Sequence, residues 1–201
     1  MPKINNFLKV FLTASVEIFQ KRGKFRIIVF KYCITVGFVI KCMRYIFWGI
    51  TMDKWDKRFV EMAKVVGGWS SCFQANRHVG AVIVKNKRVL TTGYNGAPSG
   101  VKSCMEKGEC LRRKLNIASG TRQEMCYAVH AEQNAICQAA KLGVSLEGST
   151  LYCTHQPCTI CCRMIINSGI KRVIYVEGYP DEFSLQLFNE AGIEVVKYDE
   201  N

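Results

Sequence analysis

"STLYCTHQPCTICCRMIINSGIKRVIYVEG", Ser149 to Gly178, carries the fold. "STLYCT" is short and rich in β-branched and aromatic residues, so it reads as a strand. "CTICCRMIINSG" reads as a helix, opened by Pro157 and stopped by Gly169. "KRVIYVEG" is a second strand. Downstream, "DEFSLQLFNEAG" is a helix and "IEVVKY" a closing strand. Upstream, "HAEQNAICQAAKLG" is a helix stopped by Gly143, and "HVGAVIV" and "RVLTTGY" are strands around a turn at Lys85-Asn86-Lys87. "MDKWDKRFVEMAKVV" is an amphipathic helix with Asp53 as N-cap, a stripe of Trp55, Phe59, Met62 and Val66, and a stop at Gly67-Gly68. Asn95 to Met125 lacks periodicity. A hairpin followed by αβαβαβ predicts an α/β fold, a three-layer α-β-α sandwich. Its sheet is mixed, mostly parallel, with about five strands.

At 201 residues and 49% hydrophobic, the chain can bury a sizeable core as one main domain. Its formal charge of +12 is uneven. Residues 1–51 hold nine Lys/Arg against Glu17 alone, leaving only +4 for residues 52–201. A basic surface for nucleic acid is therefore not expected of the main domain. In residues 1–51 the longest uncharged run is Tyr32 to Ile40, far short of the roughly 18 residues that span a bilayer. That segment reads as a basic, hydrophobic N-terminal extension upstream of a start at Met52. A membrane-surface segment and a structural arm are the other readings. Eleven cysteines, locally clustered in a chain of this length, indicate metal or thiol chemistry in a reducing cytoplasm.

His130, Cys158 and Cys161 are the predicted metal ligands. Three N/S donors leave a fourth tetrahedral position open, as in catalytic zinc sites. Cys158 and Cys161 are three apart at a helix start, so their sulfurs point the same way, and the helix N-terminus favours thiolates. Cys162 competes with Cys161, and the spacing favours Cys161. Glu132, two residues after His130, does not share its helix face. It is read as the proton-transferring catalytic carboxylate beside the metal rather than as a ligand. "PCTIC" alone suits a redox dithiol or half a structural zinc site. Joined to H-x-E it is far more specific.

H-x-E with P-C-x-x-C is the signature of zinc nucleobase deaminases. From about Met52 to Tyr198 the chain resembles the cytidine/deoxycytidylate deaminase superfamily, nearest dCMP deaminases and their competence-operon relatives. "VGAVIV", "TGYNGAPSG", "HAEQNAI", "PCTICC" and "SGIKRVIYVEGYPD" carry the resemblance. It implies hydrolysis of a cyclic amidine C–N bond, turning dCMP into dUMP and ammonia for thymidylate synthesis. It also assigns substrate contacts. Asn95 meets the sugar and the Ala131 amide meets the pyrimidine carbonyl, while Arg77 and Tyr179 lie near the 5′-phosphate. Relatives often place the basic residue one position earlier, where this chain has Asn76. A regulatory site for dCTP and dTTP would involve Gly96, Gly100 and Lys141 between subunits of a homo-oligomer, from dimer to hexamer. A second, structural zinc would use Cys104, Cys110 and Cys126. Ser103 stands where relatives carry a histidine, so Cys72 or His78 would complete that set. Rival readings are deamination of free cytidine, guanine or tRNA adenosine, or a non-catalytic zinc-stabilised module for DNA uptake.

Overall fold

The computed structural model describes residues 53–118, 121–178 and 181–199, together with the backbone of 18–21 and 24–27. The chain divides into two units, Met1–Thr51 and Met52–Asn201. In the first, β1 (Ile18–Lys21) pairs antiparallel with β2 (Lys24–Ile27), Ile18 opposite Ile27. The remaining expectations for residues 1–51, and the start at Met52, fall outside the described residues. No helix among the described residues is long and apolar enough to cross a membrane.

In the second unit, α1 (Lys54–Gly67) precedes the hairpin of β3 (Gly80–Lys85) and β4 (Arg88–Tyr94). Then come α2 (Cys104–Lys107), α3 (Leu111–Lys114), α4 (Ala131–Leu142), β5 (Thr150–His155), α5 (Thr159–Asn167), β6 (Arg172–Glu177), α6 (Glu182–Glu190) and β7 (Glu194–Lys197). The sheet order is β4-β3-β5-β6-β7. β3 is antiparallel to both neighbours, and β5, β6 and β7 are parallel. Four of the five strands therefore run one way, as the sequence predicts.

Period-two alternation sorts the two cores. Val82, Val84, Tyr152 and Ile174 face α1, packing with Phe59, Val60, Ala63 and Val66. Their chain neighbours Ala81, Ile83, Leu151 and Val173 face the other layer, with Ala135, Ala139, Ile165 and Phe188. Strands buried on both faces read as continuous apolar runs, which is why they were legible. The stripe of α1 is corrected at Met62, which is 40% exposed. Its buried face is Phe59, Val60, Ala63, Val66 and Gly67. The helix has turned that way because it lies close on β3: a Cβ at Gly80 would overlap Ala63 O and Gly67 N. The hairpin turn is also one residue tighter than expected. Lys85 still pairs with Arg88, and only Asn86 (φ 52°) and Lys87 (φ 62°) form the turn. The stretch without periodicity contains two single-turn helices. Ser103 opens α2, accepting from the Glu106 N–H at 3.1 Å and donating its own N–H to Glu106 at 2.7 Å.

One polar network crosses the α1 face. The buried Asp56 carboxylate accepts from Tyr152 Oη at 2.8 Å and from Arg172 Nη1 at 2.9 Å. Arg172 also reaches Glu194 at 3.2 Å, so Asp56 ties α1, β5 and β6, and Glu194 adds β7 through the same guanidinium.

Candidate active site

Two helix starts meet at one end of the sheet. His130 is the N-cap of α4 and Cys158 the N-cap of α5, with Cys161 one turn further on. Each cap residue has extended backbone, and the two side chains meet between the helix starts. His130 Nδ1 lies 3.5 Å from Cys158 Sγ and 3.3 Å from Cys161 Sγ. All three donor atoms fall within 4.8 Å of one another, the one such group among the described residues. Around zinc, with N and S bonds of about 2.1 and 2.3 Å, tetrahedral N···S edges are about 3.6 Å. The donor set and spacing fit that ion. Cys162 is turned elsewhere: its thiol donates to Ser184 O at 3.4 Å.

The three donors share protons unevenly. Cys158 is lowered to about 4, chiefly by the hydrogen bond from Cys161, against burial and with help from His130. Cys161 is pushed up by that same bond and by burial. His130 is raised, above all by its bond with Cys158.

Glu132 sits in the first turn of α4 at 4% exposure. Burial raises its pKa, and His130 opposes the rise. It lies outside the ligand group but lines the same cleft. Its position depends on how closely α4 approaches β4. A Cβ at Gly93 would overlap Ala131 O and the Ala135 N, and Asn134 Nδ2 donates to Tyr94 O at 3.0 Å. Just before the helix, Gly96 and Val129 exchange backbone hydrogen bonds of 3.2 and 2.9 Å, which fixes the approach to His130. Gly93 was not singled out from the sequence. Its place in a strand next to a helix of small residues was the available signal.

The cleft, about 500 Å³, also gathers Asn95, Arg77 and Ala131. Asn95 Oδ1 accepts from the Val79 N–H at 2.8 Å, and Nδ2 donates to Arg77 O at 2.7 Å. Its side chain thus pins the Arg77 segment to the start of β3. Ala131 is fully buried at the first helical position of α4, where an amide N–H has no intrahelical acceptor. Tyr179 lies outside the described residues. Gly96, Gly100 and Lys141 do not line the cleft. Gly96 is buried in its bridge with Val129, Gly100 is exposed with φ 82°, and Lys141 is in the last turn of α4.

The other cysteines form a second neighbourhood. Cys104 is 5% exposed and is electrostatically coupled to Cys126, Cys72 and Cys110. Burial raises both Cys104 and Cys72. Of the two candidate fourth donors, Cys72 belongs to this cluster. His78 Nε2 instead donates to the Cys72 carbonyl at 3.2 Å. Among the cleft residues that reasoning from sequence missed are Arg112, Arg113, His155 and Gln156. His155 and Gln156 directly precede "PC" and could have been found from that. The two arginines lie in the stretch without periodicity, which offers no signal.

The cytidine and deoxycytidylate deaminase zinc-binding region matches residues 53–177. The chain belongs to the cytidine and deoxycytidylate deaminase family. The deoxycytidylate deaminase of Schizosaccharomyces pombe is 37% identical over 72% of this chain. This chain spans only 44% of that relative's length. ComE operon protein 2 of Bacillus subtilis is 38% identical, with 73% of each chain covered. The dCMP deaminase of cyanophage S-TIM5, solved in complex with dCMP and dUMP, is 33% identical with a TM-score of 0.58. The match covers 74% of this chain and all of that one. Family membership gives the three-donor group its metal: the matched region is a zinc-binding one.

Proposed function

We propose that this chain is a zinc-dependent deaminase converting dCMP and water to dUMP and ammonia. The observation that carries it is a buried Glu132, outside the three-donor N/S group, that lines the same cleft as two of those donors, His130 and Cys158. His130, Cys158 and Cys161 would hold the ion. Zinc with an open fourth position supplies a Lewis acid that generates a nucleophile from water near neutral pH. Glu132 takes the proton from that water at its carboxylate. It delivers that proton to the ring nitrogen as the water oxygen bonds to C4. It then takes the remaining proton of the added hydroxyl and hands it to the amino group, which leaves as ammonia as the C4–N bond breaks and the carbonyl forms. Burial raises its pKa, which suits a group that must both accept and donate. The Ala131 N–H meets the pyrimidine carbonyl, and the Asn95 amide, held at Val79 and Arg77, offers its remaining N–H to the sugar. Arg77 and Tyr179 take the 5′-phosphate. The S-TIM5 relative, solved with both dCMP and dUMP, supports that substrate.

A second, structural zinc at Cys104, Cys110 and Cys126, with Cys72 as fourth donor, rests on the family resemblance. The other three thiols act on the charge of Cys104, but the four do not form a donor group as tight as that of His130, Cys158 and Cys161. Regulation by dCTP and dTTP at Gly96, Gly100 and Lys141, within a homo-oligomer, rests on the family resemblance. The nine described cysteines are free thiols, the form a reducing cytoplasm maintains.

The test is ammonia release by the full-length, zinc-loaded protein from dCMP, CMP, dCTP, deoxycytidine and a tRNA anticodon stem. The reading expects dCMP to lead. A preference for deoxycytidine removes the nucleotide assignment, and zinc binding without release from any substrate leaves only a zinc-stabilised module.

A further inference from the structure

The segment 102–122 carries six Lys/Arg against Glu106 and Glu109, a net charge equal to that of the whole main domain. Three of these six cations are accounted for. Lys114 pairs with Glu109 at 3.1 Å, Arg122 with Glu124 at 3.5 Å, and Lys107 stacks over the Tyr127 ring. Arg112 and Arg113 are different: both line the cleft, and neither has a carboxylate partner among the described residues. Arg112 is half-buried, and its charge is felt at His130. Its Nη2 donates to Ala118 O at 2.7 Å, which fixes the guanidinium while leaving the rest of the fork for another acceptor. The backbone is held as well, since the Ile117 N–H donates to Arg112 O at 2.8 Å. Among the described residues, Glu132 is the single carboxylate on the cleft wall, against Arg112 and Arg113. Cytosine and deoxyribose are neutral, so recognising them does not call for this surplus of guanidinium. An oxyanion does, and a planar fork matches phosphate oxygens in pairs.

We infer that Arg112, seconded by Arg113, reads the 5′-phosphate from the segment between β4 and α4, and so makes the site select a nucleotide over a nucleoside. The inference rests on the deaminase reading and adds to Arg77 a specificity-determining residue from a separate part of the chain. Arg112 touches the substrate remote from the reacting carbon. Its loss should therefore weaken binding and spare the chemical step.

Steady-state kinetics on dCMP and deoxycytidine decide the matter, using the zinc-loaded wild type, Arg112→Ala, Arg112→Lys and Lys114→Ala. A charge-assisted contact corresponds to about a 10- to 100-fold effect. Arg112→Ala should raise KM for dCMP by about that factor, leave kcat unchanged, and leave deoxycytidine turnover as in the wild type. Arg112→Lys should recover only part, because a point charge lacks the fork. Lys114→Ala should match the wild type on both substrates. Equal losses on dCMP and deoxycytidine would mean that Arg112 merely supports the fold, and an unchanged KM for dCMP would mean that it does not meet the phosphate. Either overturns the inference. Calorimetric titration with dUMP and deoxyuridine needs no turnover. The wild type should prefer dUMP, and Arg112→Ala should bring the two together. If the wild type released no ammonia, the deaminase reading would fall while this titration still ruled on Arg112. Equal wild-type affinity for dUMP and deoxyuridine would overturn it.

Discussion

Two adjacent cysteines with opposite surroundings show what a single residue decides. Cys161 Sγ faces the His130 imidazole at 3.3 Å, whereas the neighbouring thiol of Cys162 donates to Ser184 O at 3.4 Å on α6. Cys161→Ser should therefore lose the catalytic zinc, and Cys162→Ser should keep it; metal analysis of the purified variants checks both. Full zinc in Cys161→Ser would exclude it as a ligand. Glu132 separates binding from chemistry in the same way. Glu132→Gln preserves shape and hydrogen-bonding capacity but cannot cycle a proton. Its zinc content should stay at the wild-type level, while kcat on dCMP falls on the order of 100- to 10,000-fold. Zinc loss in that variant would instead make Glu132 a ligand. The distinction was legible from the offset of two residues between His130 and Glu132, because a helix turns neighbours at that spacing onto different faces.

At the scale of elements, periodicity located every strand and long helix of the main domain, because each buries a regular face. It failed on α1 at Met62, where a four-three-four stripe fits the sequence but not the packing. The helix rolls towards Ala63 and Gly67 to lie against Gly80. Close approaches of this kind depend on a missing side chain on the partner strand, which no single-segment pattern records. Gly93 plays the same part beneath α4. Gly93→Ala should destabilise the fold by about 1–3 kcal/mol and lower dCMP turnover through displacement of His130 and Glu132. Urea midpoints and kinetics together test it, and an unchanged midpoint would show that α4 can yield. On the opposite face, burial and then the Asp56 hydrogen bond raise the Tyr152 hydroxyl above its usual value of 10.0. Its proton is bound more tightly in the folded state. The stabilisation is complete below pH 10.0 and is lost as pH rises through the higher folded value. Urea midpoints measured from pH 8 upward should fall more steeply in the wild type than in Tyr152→Phe. Parallel curves would detach Tyr152 from the alkaline loss.

Across the whole molecule, the sheet and the ion divide the work. Four strands running one way bring the ends of β4 and β5 and the starts of α4 and α5 to one edge, where open α/β sheets place ligands. That edge is completed by residues 95–125, whose order the sequence did not disclose. Its contacts join residues far apart in the sequence, as where Gln74 Nε2 donates to Cys110 Sγ at 3.3 Å, rather than lie along a regular face. The proposed second zinc, at Cys104, Cys110 and Cys126 with Cys72, would give so polar a segment the order that its sparse apolar content does not. Two ions with different duties should then come off differently. Chelation should first remove the exchangeable ion at His130, Cys158 and Cys161, abolishing ammonia release with a modest loss of melting temperature that added zinc restores. Cys104→Ser and Cys110→Ser should each lower zinc content by about one ion per chain and depress the melting temperature further, because a closed structural site contributes folding energy directly. Both variants should keep the ion that Glu132 serves. A wild-type content of one zinc per chain, unchanged in both variants, would show that the cysteine cluster holds the wall as packed thiols.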